Sequence, residues 1–111
     1  MVDDADKYRA ALDRLPAFLD RGRPGFVQYQ AGMDPFENDP VGGIAGVTAA
    51  ILEARDRFVI QAVRSRGIPL LINLAGGYLR GVSERLHVTT IRAMAEWKQR
   101  EARSPQPAPR T

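Results

Sequence analysis

A chain of 111 residues, 44% hydrophobic and 26% charged, has room for one domain with a modest core, because at this size about two thirds of the unfolded surface is buried on folding. No window approaches the roughly 18 uninterrupted apolar residues of a membrane span, and with no cysteine any metal falls to His, Asp or Glu. The net charge of +3 is scattered among acids along apparent helices, so nucleic acid is not expected as a partner. The opening MVDDADKYRA lacks the basic start and apolar run of a secretory signal, which makes the cytoplasm the expected compartment.

In chain order, Tyr8, Ala11, Leu12, Leu15, Phe18 and Leu19 form a stripe of helical period from Asp4 to Asp20, with Asp3 or Asp4 as its cap. Pro16 removes a backbone donor inside that stripe and should bend or shorten the helix. The segment RGRPG breaks the pattern, and Phe26, Val27 and Tyr29 open a short strand in which Gln28 needs either a hydrogen-bond partner or an exposed face. Thr48 can cap a second helix running to about Arg66, with Ile51, Phe58, Ala62 and Leu52, Val59, Val63 as adjacent apolar columns and Gly67 as its stop. The run IPLLINLAGGY, 68–78, reads as a buried strand ending in a Gly-Gly turn. A third helix follows from about Ser83 to Glu101, with Leu86, Ile91, Met94 and Trp97 expected to be buried. The proline-rich tail, 103–111, should be disordered.

The fold class is therefore α/β, ordered helix, strand, helix, strand, helix, with a crossover long enough to require parallel strands in one right-handed βαβ unit. Two strands alone leave both sheet edges unpaired, so the chain reads as part of a larger sheet. In open α/β sheets function collects beyond the carboxyl ends of the strands. Two loops sit there: AGMDPFENDPVGG with Asp34, and AGGY with Tyr78. On neighbouring strands about 4.8 Å apart, a carboxylate suited to a cation and a phenol suited to a developing oxyanion could face one pocket. His87, the single histidine, lies within a helical pattern away from both loops and reads as structural.

The succession AGMDP, DPVGG, RDRFV, RGIPL, LAGGY and LHVTTIRA resembles the C-terminal third of the histone deacetylase family, particularly its bacterial deacetylase and acetoin-utilisation members, over about Tyr8 to Glu96. The resemblance implies that residues 1–102 are the C-terminal portion of an arginase-like deacetylase domain, which hydrolyses acetyl-lysine or a related acetylated amine with one catalytic zinc. It gives Asp34 the role of a zinc ligand and Tyr78 that of the hydrogen-bond donor to the substrate carbonyl and its tetrahedral intermediate. Gly76 and Gly77 would let the backbone approach the acyl site, while Asp39 and Pro40 shape the loop.

Departures from the family set the limits. Its other two zinc ligands come from an Asp-x-His segment and its general base from a His-His pair, and this sequence contains neither. Ile51 stands where relatives commonly have glycine, and Gln28 and Asn73 are polar within the strands. The chain alone is accordingly expected to be inactive and not to hold zinc tightly. The alternative is a non-catalytic piece that completes the sheet of a separately encoded N-terminal half, or of another copy.

Overall fold

The computed structural model describes residues 4–40, 42–77, 79 and 81–103. Its elements are α1 (Asp4–Leu12), α2 (Leu15–Gly22), β1 (Val27–Gly32), α3 (Ala49–Arg64), β2 (Leu70–Ala75) and α4 (Ser83–Arg103). The expected first helix is thus two. Pro16 does not interrupt a helix but lies in the first turn of α2, where a missing N–H removes no intrahelical bond. The rest of the order follows the sequence reading. Thr48 accepts the Ile51 N–H at 3.3 Å as the cap of α3, and Gly67 turns the chain out of it at φ +70°, with its N–H on Arg64 O. The proline-rich tail lies, from residue 104 on, outside the described residues, as does Asp3. No helix among the described residues is long and apolar enough to cross a membrane.

The two strands are parallel and paired in register from Val27 opposite Leu70 to Gly32 opposite Ala75, with α3 as the crossover between them. One sheet face presents Val27, Tyr29 and Leu70 to Leu19, Val59 and Val63. Gln28 and Gln30 lie exposed on the other face, which resolves the polar residue in a strand without a buried partner. The second strand is not buried as expected. Leu71 and Leu74 are 48% and 46% exposed; Leu71, opposite Gln28, lies on the open face, whereas Leu74, opposite Ala31, lies on the side that faces the helices.

α4 buries Leu86 as the sequence suggests, but not Ile91 or Met94. Ser83, Leu86, Thr90 and Ala93 are buried, a 3-4-3 spacing on one helical stripe. Ile91 and Met94 are 46% and 39% exposed, and Trp97 is half-buried with its indole N–H donating to Glu101. Small side chains at 90 and 93 let α4 lie close to α3, and that proximity outweighs the bulk of Ile91 and Met94.

The apolar core is in two parts. One gathers Ala5, Met33, Val47, Leu52 and Leu86 beneath the loop after β1. The other gathers Leu19, Val59, Ala62, Val63 and Ile68 behind the sheet. Between Leu52 and Val59 on α3 sit Arg55 and Asp56, 5% and 0% exposed. Arg55 Nε donates to Asp56 Oδ1 at 3.0 Å, and Nη1 donates to Tyr8 Oη at 3.1 Å and to Gly32 O at 2.6 Å. Asp56 also accepts the Tyr29 hydroxyl on Oδ1 and the Thr90 hydroxyl on Oδ2. Burial is the main reason the Tyr29 phenol keeps its proton far above its ordinary range; the Arg55 charge opposes this and the Asp56 carboxylate adds to it. One charged pair thereby joins α1, β1, α3 and α4.

Removing one member of such a pair strands the other charge away from water, so Asp56→Ala should cost about 3–5 kcal/mol. Replacing both, as Arg55→Met with Asp56→Leu, should cost clearly less. Urea denaturation followed by circular dichroism compares the two, and a single variant as stable as the double would contradict the network's role.

Candidate functional site at the paired strand ends

The site is built by register. Because Gly32 and Ala75 are partners, the chain leaves both strands at the same level, and one further ladder bond, Met33 N–H to Ala75 O at 3.1 Å, carries the pairing past β1. The next residue is Asp34. Its Oδ1 accepts the Gly77 N–H at 2.6 Å, a short charge-assisted bond from the first loop to the second. Oδ2 makes no hydrogen bond to a described residue. The two loops singled out by sequence are therefore joined directly, through the Asp34 carboxylate.

The glycines make this join possible. Gly76 and Gly77 have φ of +64° and +91°, a region side chains disfavour. A Cβ on Gly76 would overlap Asp34 Oδ1 and come within 2.7 Å of its Cγ; one on Gly77 would stand 2.9 Å from Ser83 Oγ and 3.0 Å from Met33 Cβ. Tyr78 lies outside the described residues. Beyond it, Leu79 is held at both polar ends by Ser83, whose Oγ accepts the Leu79 N–H and donates to Leu79 O, each at 3.1 Å.

The first loop is braced by its own backbone. Asp34 O accepts the Gly43 N–H at 2.8 Å, Pro35 O the Ile44 N–H at 3.1 Å, and Val47 O the Glu37 N–H at 2.8 Å. Gly42 lies against the Asp34 backbone, where a Cβ would reach within 3.0 Å of its carbonyl carbon. Asp39 is buried, and its Oδ1 accepts the Gly42 N–H at 3.1 Å; Pro40 beside it is exposed. From below, Arg55 holds Gly32 O, two residues before Asp34, and Arg55 Nη2 lies 3.8 Å from Met33 Sδ.

His87 is not remote from these loops. Its Nε2 is 3.0 Å from Gly76 O, and its Nδ1 is buried with no hydrogen-bond partner among the described residues. The sequence carried a faint signal for this: His87 stands four residues after Ser83, on the same helix face, and that face looks back over the turn. Arg55 and Asp56 were also missed as site supports, although positions 52, 55, 56 and 59 share one stripe.

Among the described residues no three His, Cys, Asp or Glu side chains group to hold a metal ion. A catalytic zinc needs about three protein ligands plus water. Asp34, with one oxygen engaged and one free of described partners, fits the part of a single ligand and no more.

No family model matches the chain. It is similar to Histone deacetylase 2 of Arabidopsis thaliana, at 32% identity over 76 residues, which cover 68% of this chain and 19% of that protein. It is also similar to an uncharacterised protein of Picosynechococcus sp., at 27% identity over 86 residues, covering 78% of this chain and 28% of that protein. The chain spans about a fifth of the first relative's length and under a third of the second's.

The contact between Asp34 and the glycine turn can be tested by a mutant cycle. Gly76→Ala should destabilise the chain by more than about 1 kcal/mol, because alanine is strained at positive φ and meets the carboxylate. In an Asp34→Ala background the cost should shrink, leaving a coupling of at least about 0.5 kcal/mol. Strictly additive urea midpoints would show that the two residues do not meet.

Proposed function

We propose that this chain is the C-terminal portion of a zinc-dependent deacetylase with an arginase-like parallel sheet, contributing one side of a site that hydrolyses acetyl-lysine or a related acetylated amine. The observation that carries the reading is the bond from Gly77 N–H to Asp34 Oδ1. It brings the residue expected as a zinc ligand against the turn that bears the residue expected as the oxyanion donor. The similarity to a protein named a histone deacetylase supports the same assignment.

In this reading Asp34 offers Oδ2 to the metal while Gly77 fixes Oδ1, so the carboxylate is oriented before any ion arrives. The Tyr78 phenol donates to the carbonyl oxygen of the acyl group and shares the negative charge that grows there as the carbonyl is attacked. Gly76 and Gly77, whose missing side chains leave the space that Asp34, Ser83 and Met33 occupy, let the second loop close against the first beside the acyl site. Asp39 and Pro40 hold the loop in shape. The remaining ligands and the base belong to an Asp-x-His segment and a His-His pair outside this sequence, so no metal-dependent step is assigned to this chain by itself.

The exposed Leu71 and Leu74 and the two-stranded sheet favour a related reading, in which a separately encoded N-terminal half pairs with a sheet edge and supplies those groups. Co-expression with a chain carrying both segments tests the two together. Co-purification and release of acetate from an acetyl-lysine peptide are expected, with activity abolished by Asp34→Ala and reduced about 100- to 1,000-fold by Tyr78→Phe. Stoichiometric zinc and amidase activity in the 111-residue chain alone, or full activity in the Asp34→Ala complex, would overturn the assignment.

A further inference from the structure

We infer that His87 is a positioning residue that sets the orientation of the Gly76–Gly77 peptide, and through it the Asp34 carboxylate. The two hydrogen bonds concerned belong to one peptide unit. Its carbonyl is Gly76 O, 3.0 Å from His87 Nε2; its N–H is that of Gly77, 2.6 Å from Asp34 Oδ1. In a trans peptide these groups point in opposite directions, so His87 grips one end of the plane from α4 and Asp34 grips the other from the loop after β1.

Two consecutive glycines offer little resistance to a flip of the peptide between them, since glycine populates positive and negative φ about equally. A flip would turn the carbonyl toward Asp34, replacing an attraction by a repulsion and freeing the carboxylate to rotate. His87 opposes that flip with a directional donor. A carbonyl oxygen can only accept, so Nε2 carries the proton. Nδ1, buried without a partner among the described residues, is then the bare nitrogen, because a proton there would be a buried donor with no described acceptor to meet. Among the described residues, no other hydrogen bond to the ring competes with Gly76 O. Ser83, one turn earlier on α4, fixes Leu79 by a similar two-ended grip, so α4 holds the turn on both sides of residue 78.

The consequence for acyl chemistry rests on the deacetylase reading, whereas the grip on the peptide does not, and the test uses only the latter. Long-range proton–nitrogen spectra of the full chain should show His87 protonated at Nε2 and bare at Nδ1. In amide exchange, His87→Phe should speed exchange at Gly77 by at least about tenfold while leaving Val59 in α3 unchanged. His87→Gln, which keeps an N–H donor of similar reach, should restore Gly77 protection to within about threefold of the parent. A proton on Nδ1, unchanged Gly77 exchange in the Phe variant, or equal loss in the Phe and Gln variants would overturn the inference. Should His87→Phe fail to fold, the tautomer and the Gln variant still decide it. None of these readouts depends on deacetylase activity, so failure here leaves the functional assignment to its own experiment.

Discussion

Arg55 and Asp56 are the point through which the elements of this small protein are joined. A two-stranded sheet with helices on one face has little apolar surface to bury, and here that surface is split into two clusters. The charged pair fills the gap between them. Its worth lies in connection more than in energy, since a buried ion pair gains little over apolar residues of similar volume. Arg55 reaches Tyr8 on α1 and Gly32 O on β1, and Asp56 reaches Tyr29 on β1 and Thr90 on α4. Because Gly32 O is the last carbonyl of β1, the same network fixes where the following loop departs and therefore where Asp34 sits.

From that anchor the candidate site follows in short steps. Arg55 sets the end of β1, the parallel register sets the end of β2 beside it, and Gly76 and Gly77 leave room for the carboxylate that bridges the two. His87 and Ser83 then hold the second loop from α4. Each hold is local, and each comes from a different element, so the geometry at 34 and 77 depends on the whole packing and not on either loop alone.

Much of this was legible in the sequence because the signals were local. Thr48 and Gly67 mark the ends of α3 through capping chemistry, the apolar columns of α3 follow helical period, and the long crossover implies parallel strands. The two loops were identified from their place after the strands. What escaped was tertiary. Arg55 and Asp56 are charged and read as solvated until three other elements supply their partners. The inward face of α4 was read correctly at Leu86 but misjudged beyond it, because close approach at Thr90 and Ala93 decides it, whereas the sequence advertises Ile91 and Met94. His87 read as remote because its partner is a backbone carbonyl, so its four-residue spacing from Ser83 was the one faint mark on the side-chain pattern. Pro16 gave the correct position of a break: the first helix is shortened to end at Leu12, and a new helix, α2, starts with Pro16 in its first turn.

The central claim is that Asp34 faces a metal in the assembled site, with the glycine turn beside it. Cobalt(II) bound to the complex with a chain bearing the Asp-x-His segment and His pair tests this most directly, because its unpaired electrons broaden nearby amide signals. The Asp34 and Gly77 amide resonances are expected to disappear on cobalt binding, and the residue-34 and Gly77 resonances to survive in Asp34→Ala, which loses a ligand and with it tight cobalt binding. Cobalt held by the complex with both resonances left sharp in the parent chain would contradict that claim.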